Sequence, residues 1–434
     1  MADITYDKIS IMGIEYSKLI NIEIHRRLNE HANAIITCEI SKEEKQRLQT
    51  SINDGNLVTI TTASDGDYDV LFVGVKYNLQ IEESAEYYVA KLELKSTSYL
   101  LDVEKHNKTW QNGSKLYSAV MGELIKGRGI IRFNITDKSI GGFWMQKNET
   151  DWNMLLRFAS GCGTSIVPNV KTEIPIIDVG IPGEITSTNE LGYMDYLQGA
   201  SPLVIGTDVT INKGVLETTC ITGRMDAYKQ NRITCEAAAG KMYTGVVQKI
   251  EKQKVQVFFD NIDAEYDADG NTWFEYSATY AGTGEKYKSG IYFMPEVGDR
   301  VRVFFPDGDG GEGFAFASET GYVLDNPSKV SWRAPGGQEI LFTNTGIRIS
   351  GKDNSVYIDL LYDDGEAGIQ ITCDTDIQMS THKNEESGNS FINIEGKEEI
   401  LIGADNQILL ETPETSLEMN KEKIILNAEY VYMQ

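Results

Sequence analysis

From Gln338 onward the chain alternates apolar and polar residues in short bursts. They are Ile347-Arg348-Ile349, Ile358-Asp359-Leu360, Ile369-Gln370-Ile371, Ile392-Asn393-Ile394, Leu401-Ile402, Leu409-Leu410, Leu417-Glu418-Met419 and Ile425-Leu426. A period of two marks a strand with one buried face. Gly, Asn or Asp separates most bursts, and late in the segment they recur at Ile392, Ile400, Ile408, Leu417 and Ile425. A regular ladder of short strands predicts a β-solenoid or β-prism. Each strand offers too few inward positions to bury a core in one copy, so the ladder predicts an oligomeric rod. Its inward residues either line a private solenoid core or meet two other copies at a shared axis. The scarcity of inward positions favours the axis. The candidates for it are Ile347, Ile349, Ile358, Ile369, Ile371, Ile392, Ile394, Ile402, Leu410, Leu417, Met419 and Leu426.

The earlier sequence is also mainly β. Residues 70–75 and 87–94 read as strands. A helix is expected near Leu116-Val120-Leu124 with Ser114 as N-cap. A second runs from Asp151 to about Ser160, where Trp152, Leu155, Leu156 and Ala159 form one apolar stripe. Thr150 is its expected N-cap, and Gly161 and Gly163 its expected end. Residues 165–235 return to β character, with Val209 and Ile211 on one face. A third unit begins near residue 240. Val255-Gln256-Val257-Phe258-Phe259, Trp273-Phe274-Glu275-Tyr276, Gly290-Ile291-Tyr292-Phe293, Arg300–Phe305 and Gly313–Ala317 predict a small OB-type barrel. A linker with Pro327 and Pro335 leads into the ladder. The expected domains are a β unit with helices at 1–235, an OB fold at 236–325 and the strand ladder at 326–434.

The 434 residues suffice for two to four domains. No stretch reaches the length of a membrane-spanning helix. The acidic start, Met1-Ala2-Asp3, has no signal-peptide character, so synthesis and assembly in the cytoplasm are expected. The net charge of −25 argues against nucleic acid as a partner, because phosphate binding needs Lys and Arg. Tight axial packing of several copies must therefore keep the carboxylates outside. Cys38, Cys162, Cys220, Cys235 and Cys373 are odd in number and widely spaced, and read as free buried thiols.

Three stretches together resemble the VgrG family, the spike and hub proteins of contractile phage tails and type VI secretion systems. Asn148-Glu149-Thr150-Asp151-Trp152-Asn153-Met154-Leu155-Leu156-Arg157 is similar to the family's hub segment. Pro295-Glu296-Val297-Gly298-Asp299-Arg300-Val301, with Phe305-Pro306-Asp307-Gly308-Asp309, is similar to its OB segment. The terminal ladder is similar to its needle. The resemblance implies a homotrimer with paired barrel-like hub domains carrying helices, an OB collar and an intertwined β-prism needle. It implies tail tube and baseplate proteins as partners, a PAAR-type tip, possible effector cargo and puncture of a target envelope. Some relatives insert a lysozyme domain between OB fold and needle, but here the two are separated by only a short linker.

The residues give no catalytic or metal motif and no cofactor site. The four histidines, His25, His31, His106 and His382, sit beside no nucleophile pattern, and His25 and His31 read as surface groups. Asp267-Ala268-Asp269-Gly270 invites a Ca²⁺ loop. Aligned on Gly270, however, the bidentate Glu position is Tyr276, so the segment reads as a turn. The acidic run Asp307–Gly313 also reads as a turn. Trp152 and Phe158 read as core. The expectation is a non-enzymatic trimeric spike. The alternative is a tailspike that binds or cleaves polysaccharide, with Asp359, Asp363 and Asp364 as available carboxylates.

Overall fold

The computed structural model describes residues 4–52, 55–64, 67–84, 87–182, 203–277, 280–281, 290–307, 312–318, 321, 324–363, 366–381 and 392–432. The chain divides into two units, 1–321 and 322–434.

The first unit opens with six strands, β1 (Ile9–Met12), β2 (Lys18–Arg27), β3 (Asn33–Ile40), β4 (Leu57–Ser64), β5 (Asp67–Glu83) and β6 (Tyr88–Ser96). Helix α1 (Lys42–Ser51) follows β3, and the Ser41 side chain caps it by accepting from the Glu44 N–H. A second body contains β7 (Lys105–Trp110), α2 (Tyr117–Leu124), β8 (Ile130–Phe133), β9 (Trp144–Thr150), α3 (Asp151–Cys162), β10 (Ile166–Pro168) and β11 (Ile176–Val179). Strands β12 (Leu203–Asn212) and β13 (Val215–Gly223) then rejoin the first body, giving the order β1-β4-β5-β6-β3-β2-β12-β13. Leu216 N–H donates to the Ile4 carbonyl at 2.8 Å, and Thr5 pairs with Val215. The few residues before β1 therefore bridge the two outer strands and curl the sheet into a barrel-like body. Ile22, Ile36, Ile60, Phe72, Leu92 and Leu94 fill it with no exposure.

The Asn148–Arg157 motif is a strand-to-helix junction. Thr150 Oγ1 accepts from the Asn153 N–H at 3.3 Å, as expected of the cap. Gly163 ends α3 with φ of 73°, the left-handed region. Gly161 does not end it. It lies in the last turn, where a Cβ would meet the Tyr117 hydroxyl at 2.4 Å and the Trp144 ring at 2.9 Å. Helix α2 is also capped differently from the expectation. It starts at Tyr117, its Leu116 cap makes no side-chain bond, and Ser114 instead accepts from Asn271 Nδ2. Trp152 and Phe158 are core, with Trp110, Tyr117, Val120, Trp144 and Leu155 around them.

His31 corrects the surface reading. The β2–β3 connection folds onto α3, placing its ring 4.1 Å from that of Trp152. Its Nδ1 lies 2.8 Å from Ser98 Oγ and its Nε2 3.4 Å from Asp102 Oδ2. Burial disfavours the imidazolium and lowers the pKa to about 4 despite the Asp102 carboxylate. His25 is partly exposed and sits 2.7 Å from Asp208, its cross-strand partner on β12. His382 lies outside the described residues. Cys38 and Cys235 are buried, but Cys220 is exposed because it lies on the outer strand β13.

The barrel is formed by β14 (Lys241–Glu251), β15 (Lys254–Phe258), β16 (Phe274–Tyr276), β19 (Arg300–Phe305) and β20 (Phe314–Ser318), with a small hairpin of β17 (Tyr280–Ala281) and β18 (Gly290–Ile291) between. It closes in the order β14-β15-β16-β20-β19, with β16 and β20 parallel and the other pairs antiparallel. This is an OB-type barrel. Gly290–Phe293, expected as a barrel strand, contributes only to the side hairpin. Val247, Val255, Val257, Phe274, Val301, Val303 and Phe305 fill the interior. In the Pro295–Val301 motif, Glu296 N–H donates to Asp299 Oδ2 at 2.7 Å, and Gly298 takes a φ of 100°. Asp267–Gly270 is a turn, closed by the Gly270 N–H on the Asp267 carbonyl at 2.9 Å. The middle of the acidic Asp307–Gly313 run lies outside the described residues.

The second unit is two antiparallel meanders. One holds β21 (Val330–Arg333), β22 (Glu339–Thr343), β23 (Gly346–Ser350), β24 (Val356–Asp363) and β25 (Glu366–Cys373). The other holds β26 (Gln407–Glu411), β27 (Ser416–Asn420) and β28 (Ile424–Asn427). The expected strands at Ile392–Ile394 and Leu401–Ile402 carry no strand pairing in the single chain. A strand exists only beside a hydrogen-bonded neighbour, and neither segment pairs with a described residue of its own chain.

Candidate functional site: an uncovered apolar face

Opposed residues of an antiparallel pair project to the same side of the sheet. The register of the five-stranded meander therefore assigns each side chain to a face. Val330, Phe342, Ile347, Leu360 and Ile369 form one cross-strand row. Trp332, Ile340, Ile349, Ile358 and Ile371 form the next. Every member of both rows is apolar. The Trp332 and Phe342 rings, 5.7 Å apart, confirm the shared side. The second meander repeats the arrangement, with rows Ile408-Met419-Ile424 and Leu410-Leu417-Leu426.

The other face of the larger sheet carries its ion pairs, with Leu341 and Leu361 among them. Arg348 grips Asp359 through two bonds of 2.7 Å, and its guanidinium lies 4.5 Å from the Tyr357 ring centroid. Arg333 and Ser331 both bond Glu339, Arg333 at 3.0 Å. The Arg348 hydrogen bonds hold the Asp359 carboxyl below its usual pKa. Asp359 is thus a fixed carboxylate, unlike the proton donor a glycan-cleaving pair requires. The Asp363 side chain and Asp364 lie outside the described residues.

Among the described residues, the apolar rows have no cover. None of the buried apolar clusters draws on residues 324–432. Ile369 is 73% exposed, Ile371 52%, Trp332 52% and Leu426 53%. Full burial of such a side chain gains roughly 1.5–3 kcal/mol, so the two faces together hold a large driving force for association. Leu410, Leu417, Leu426, Tyr430 and Val431 line an open cleft of about 430 Å³ at the second meander. Among the described residues, no group of His, Cys, Asp or Glu could hold a metal ion.

Nine of the residues expected to face inward, Ile347, Ile349, Ile358, Ile369, Ile371, Leu410, Leu417, Met419 and Leu426, fall on these rows. Ile392, Ile394 and Ile402 are exposed and have no register. The expectation omitted Val330, Trp332, Ile340, Phe342, Leu360, Ile408 and Ile424. The same alternation marks Val330-Ser331-Trp332 and Ile340-Leu341-Phe342, but the nearby prolines gave the first stretch the look of a linker.

Comparison with known proteins agrees with this architecture. Residues 243–318 match the family model of the type VI secretion system/phage-baseplate injector OB domain. No curated protein matches the chain in sequence. The fold is similar to chains of the Francisella PdpA-VgrG complex. In its half-lidded structure the TM-score is 0.52 at 8% identity, covering 85% of this chain and 88% of that one. In its lidded structure the TM-score is 0.53 at 7% identity, covering 82% and 76%. A further match is the Escherichia coli c3393 protein, a type VI secretion component, with TM-score 0.45, 12% identity, and coverage of 72% and 100%. Residues 243–318 thus carry an injector OB domain of the type VI secretion system/phage-baseplate kind, within a chain whose fold is similar to that of chains in the Francisella PdpA-VgrG complex.

Proposed function

We propose that the protein is the non-enzymatic, homotrimeric central spike of a contractile injection machine. Its barrel-like hub would nucleate tail tube and baseplate. The strand ladders of three copies would wind into one needle that punctures a target envelope. The observation that carries this reading is the pair of all-apolar rows from Val330 to Ile371, which no described residue of the same chain covers. Three such faces turned to a common axis would bury them and leave the partly exposed Arg348 and Arg333 guanidiniums, with their Asp359 and Glu339 partners, on the opposite face. Three-fold closure also removes free sheet edges along the shaft. Ile392, Ile394 and Ile402 would gain their missing neighbours from the other copies. The needle's domain is taken as 326–434, after a hub of 1–235 and an OB fold of 236–325.

Work of this kind is mechanical, and stacked hydrogen-bonded strands resist axial load. A tip protein would seat on the distal end, where Tyr430 and Tyr432 are exposed. A cargo or lid protein is a further partner, since the Francisella VgrG was solved with PdpA. Assembly would take place in the cytoplasm, followed by delivery outward.

The test is molar mass in solution by size exclusion with light scattering. The expected mass is three times the 48.4 kDa chain. A monomer at micromolar concentration would sink the reading.

A further inference from the structure

The hub and the barrel share more than a connecting segment. The stretch leading into β9 has two buried faces. Trp144 belongs to the hub core, whereas Phe143 and Met145 belong to the barrel core. The Phe143 ring is stacked 5.1 Å from Phe305 and lies 5.6 Å from Phe274 and 5.7 Å from Phe259. Those three barrel rings are themselves 5.9 to 6.1 Å apart. One hub residue thus completes a four-ring core.

A polar clasp lies beside it. The Thr109 N–H and Oγ1 both donate to the Asp263 carboxylate, at 2.6 and 2.5 Å. Gln111 Nε2 donates to the Val257 carbonyl at 3.0 Å. The Gln111 carbonyl accepts from the Asn271 and Thr272 N–H groups at 2.9 and 3.0 Å. Gly113 N–H donates to Asn271 Oδ1 at 2.9 Å. A Cβ on Gly270 would stand 2.9 Å from the Asp267 carbonyl and 3.3 Å from Gln111 Cβ, so the two bodies meet closely there. Parting them would open a cavity among the rings and strand a half-buried carboxylate.

We propose that hub and OB barrel form a single interlock, in which residues 109–113 and 143–145 of the hub are structural parts of the barrel. The barrel then neither closes nor moves independently of the hub. If the spike function proposed above holds, on which this one consequence rests, axial load passes through this seam rather than through the connecting residues 224–240.

Hydrogen exchange on the full-length protein tests it. Phe274→Ala weakens the barrel from inside, and Phe143→Ala opens the seam from the hub side. With an interlock, each variant raises exchange in β15 and β19 and also in β7 and β9, on the order of a hundredfold or more, while β2 and β3 keep wild-type protection. Faster exchange confined to the barrel strands, with β7 and β9 unchanged, would overturn the proposal. Should either alanine variant fail to fold, Asp263→Asn weakens the clasp alone. It should give the same coupled pattern at about tenfold, and an uncoupled pattern there would equally overturn it. The molar mass is read separately. An interlock found in a monomer would keep the seam and remove only its role in force transmission.

Discussion

Ile22, Ile36, Ile60 and Leu92 of the hub are sealed inside their own chain, whereas Ile369, Ile371, Trp332 and Leu426 of the ladder are more than half exposed. Both regions are built from the same alternation. They differ in what the opposite side of the sheet meets. The hub sheet curls until its outer strands are bridged by Ile4 and Thr5, and its apolar face closes on itself. The ladder's meanders have only three or five short strands, and among the described residues no buried apolar cluster includes them. The difference teaches that a period-two pattern specifies a buried face without specifying who buries it. In the hub the partner is the same chain; in the ladder, on the reading proposed here, it is two more copies.

The sharpest way to break this contrast is a charge on the ladder's central row. Ile358→Asp should abolish the trimer outright, because an uncompensated carboxylate costs several kcal/mol in each of three copies. The measurement is molar mass with unheated SDS gels, and an SDS-resistant trimer in this variant would contradict the shared axis. The hub should respond differently. Phe158→Ala, fully buried among Trp110, Tyr117 and Trp144, should lose about 3–5 kcal/mol. Its melting should not depend on protein concentration, whereas that of the ladder should.

A third contrast is pH. His31 has its pKa lowered from 6.5 to about 4 in the folded hub, so the unfolded chain binds more protons in that window. Hub stability is therefore full above pH 6.5 and falls as pH drops toward 4, by roughly 3 kcal/mol at most. Urea titrations at several pH values should show this slope, and His31→Asn should flatten it. The smallest effect is expected on the ladder's ion-paired face. Asp359→Asn loses the charge of the bidentate Arg348 pair, whose guanidinium is partly exposed and whose carboxyl is largely covered, and should cost about 1–2 kcal/mol. Trimer loss in Asp359→Asn, read by light scattering, would mean that the ion-paired face takes part in assembly.

Much of this was legible in the sequence because the signals were local. Thr150 capping α3, the Trp152–Ala159 stripe and the alternation along the ladder strands all depend on neighbours within a few positions. His31 was not legible. Its surroundings, Ser98, Asp102 and Trp152, come from distant parts of the chain, and a polar flanking sequence gave no sign of burial. Gly161 misled for a related reason. It reads as a helix stop, but it is a close-approach site facing Tyr117 and Trp144. Phe143 carried no signal either, since nothing in its local pattern says that its ring completes another body's core.

The amino-acid order alone determined strand periodicity, the Thr150 cap and Gly163 end of α3, and the one-sided alternation of the ladder, because these follow from backbone geometry and near-neighbour side chains. Tertiary structure alone decided which strands close the hub sheet, that β16 and β20 run parallel, that the hub supplies a ring to the barrel, and that no described residue covers the ladder's apolar rows. Those outcomes depend on contacts between residues far apart in sequence, and no local pattern encodes the identity of a distant partner.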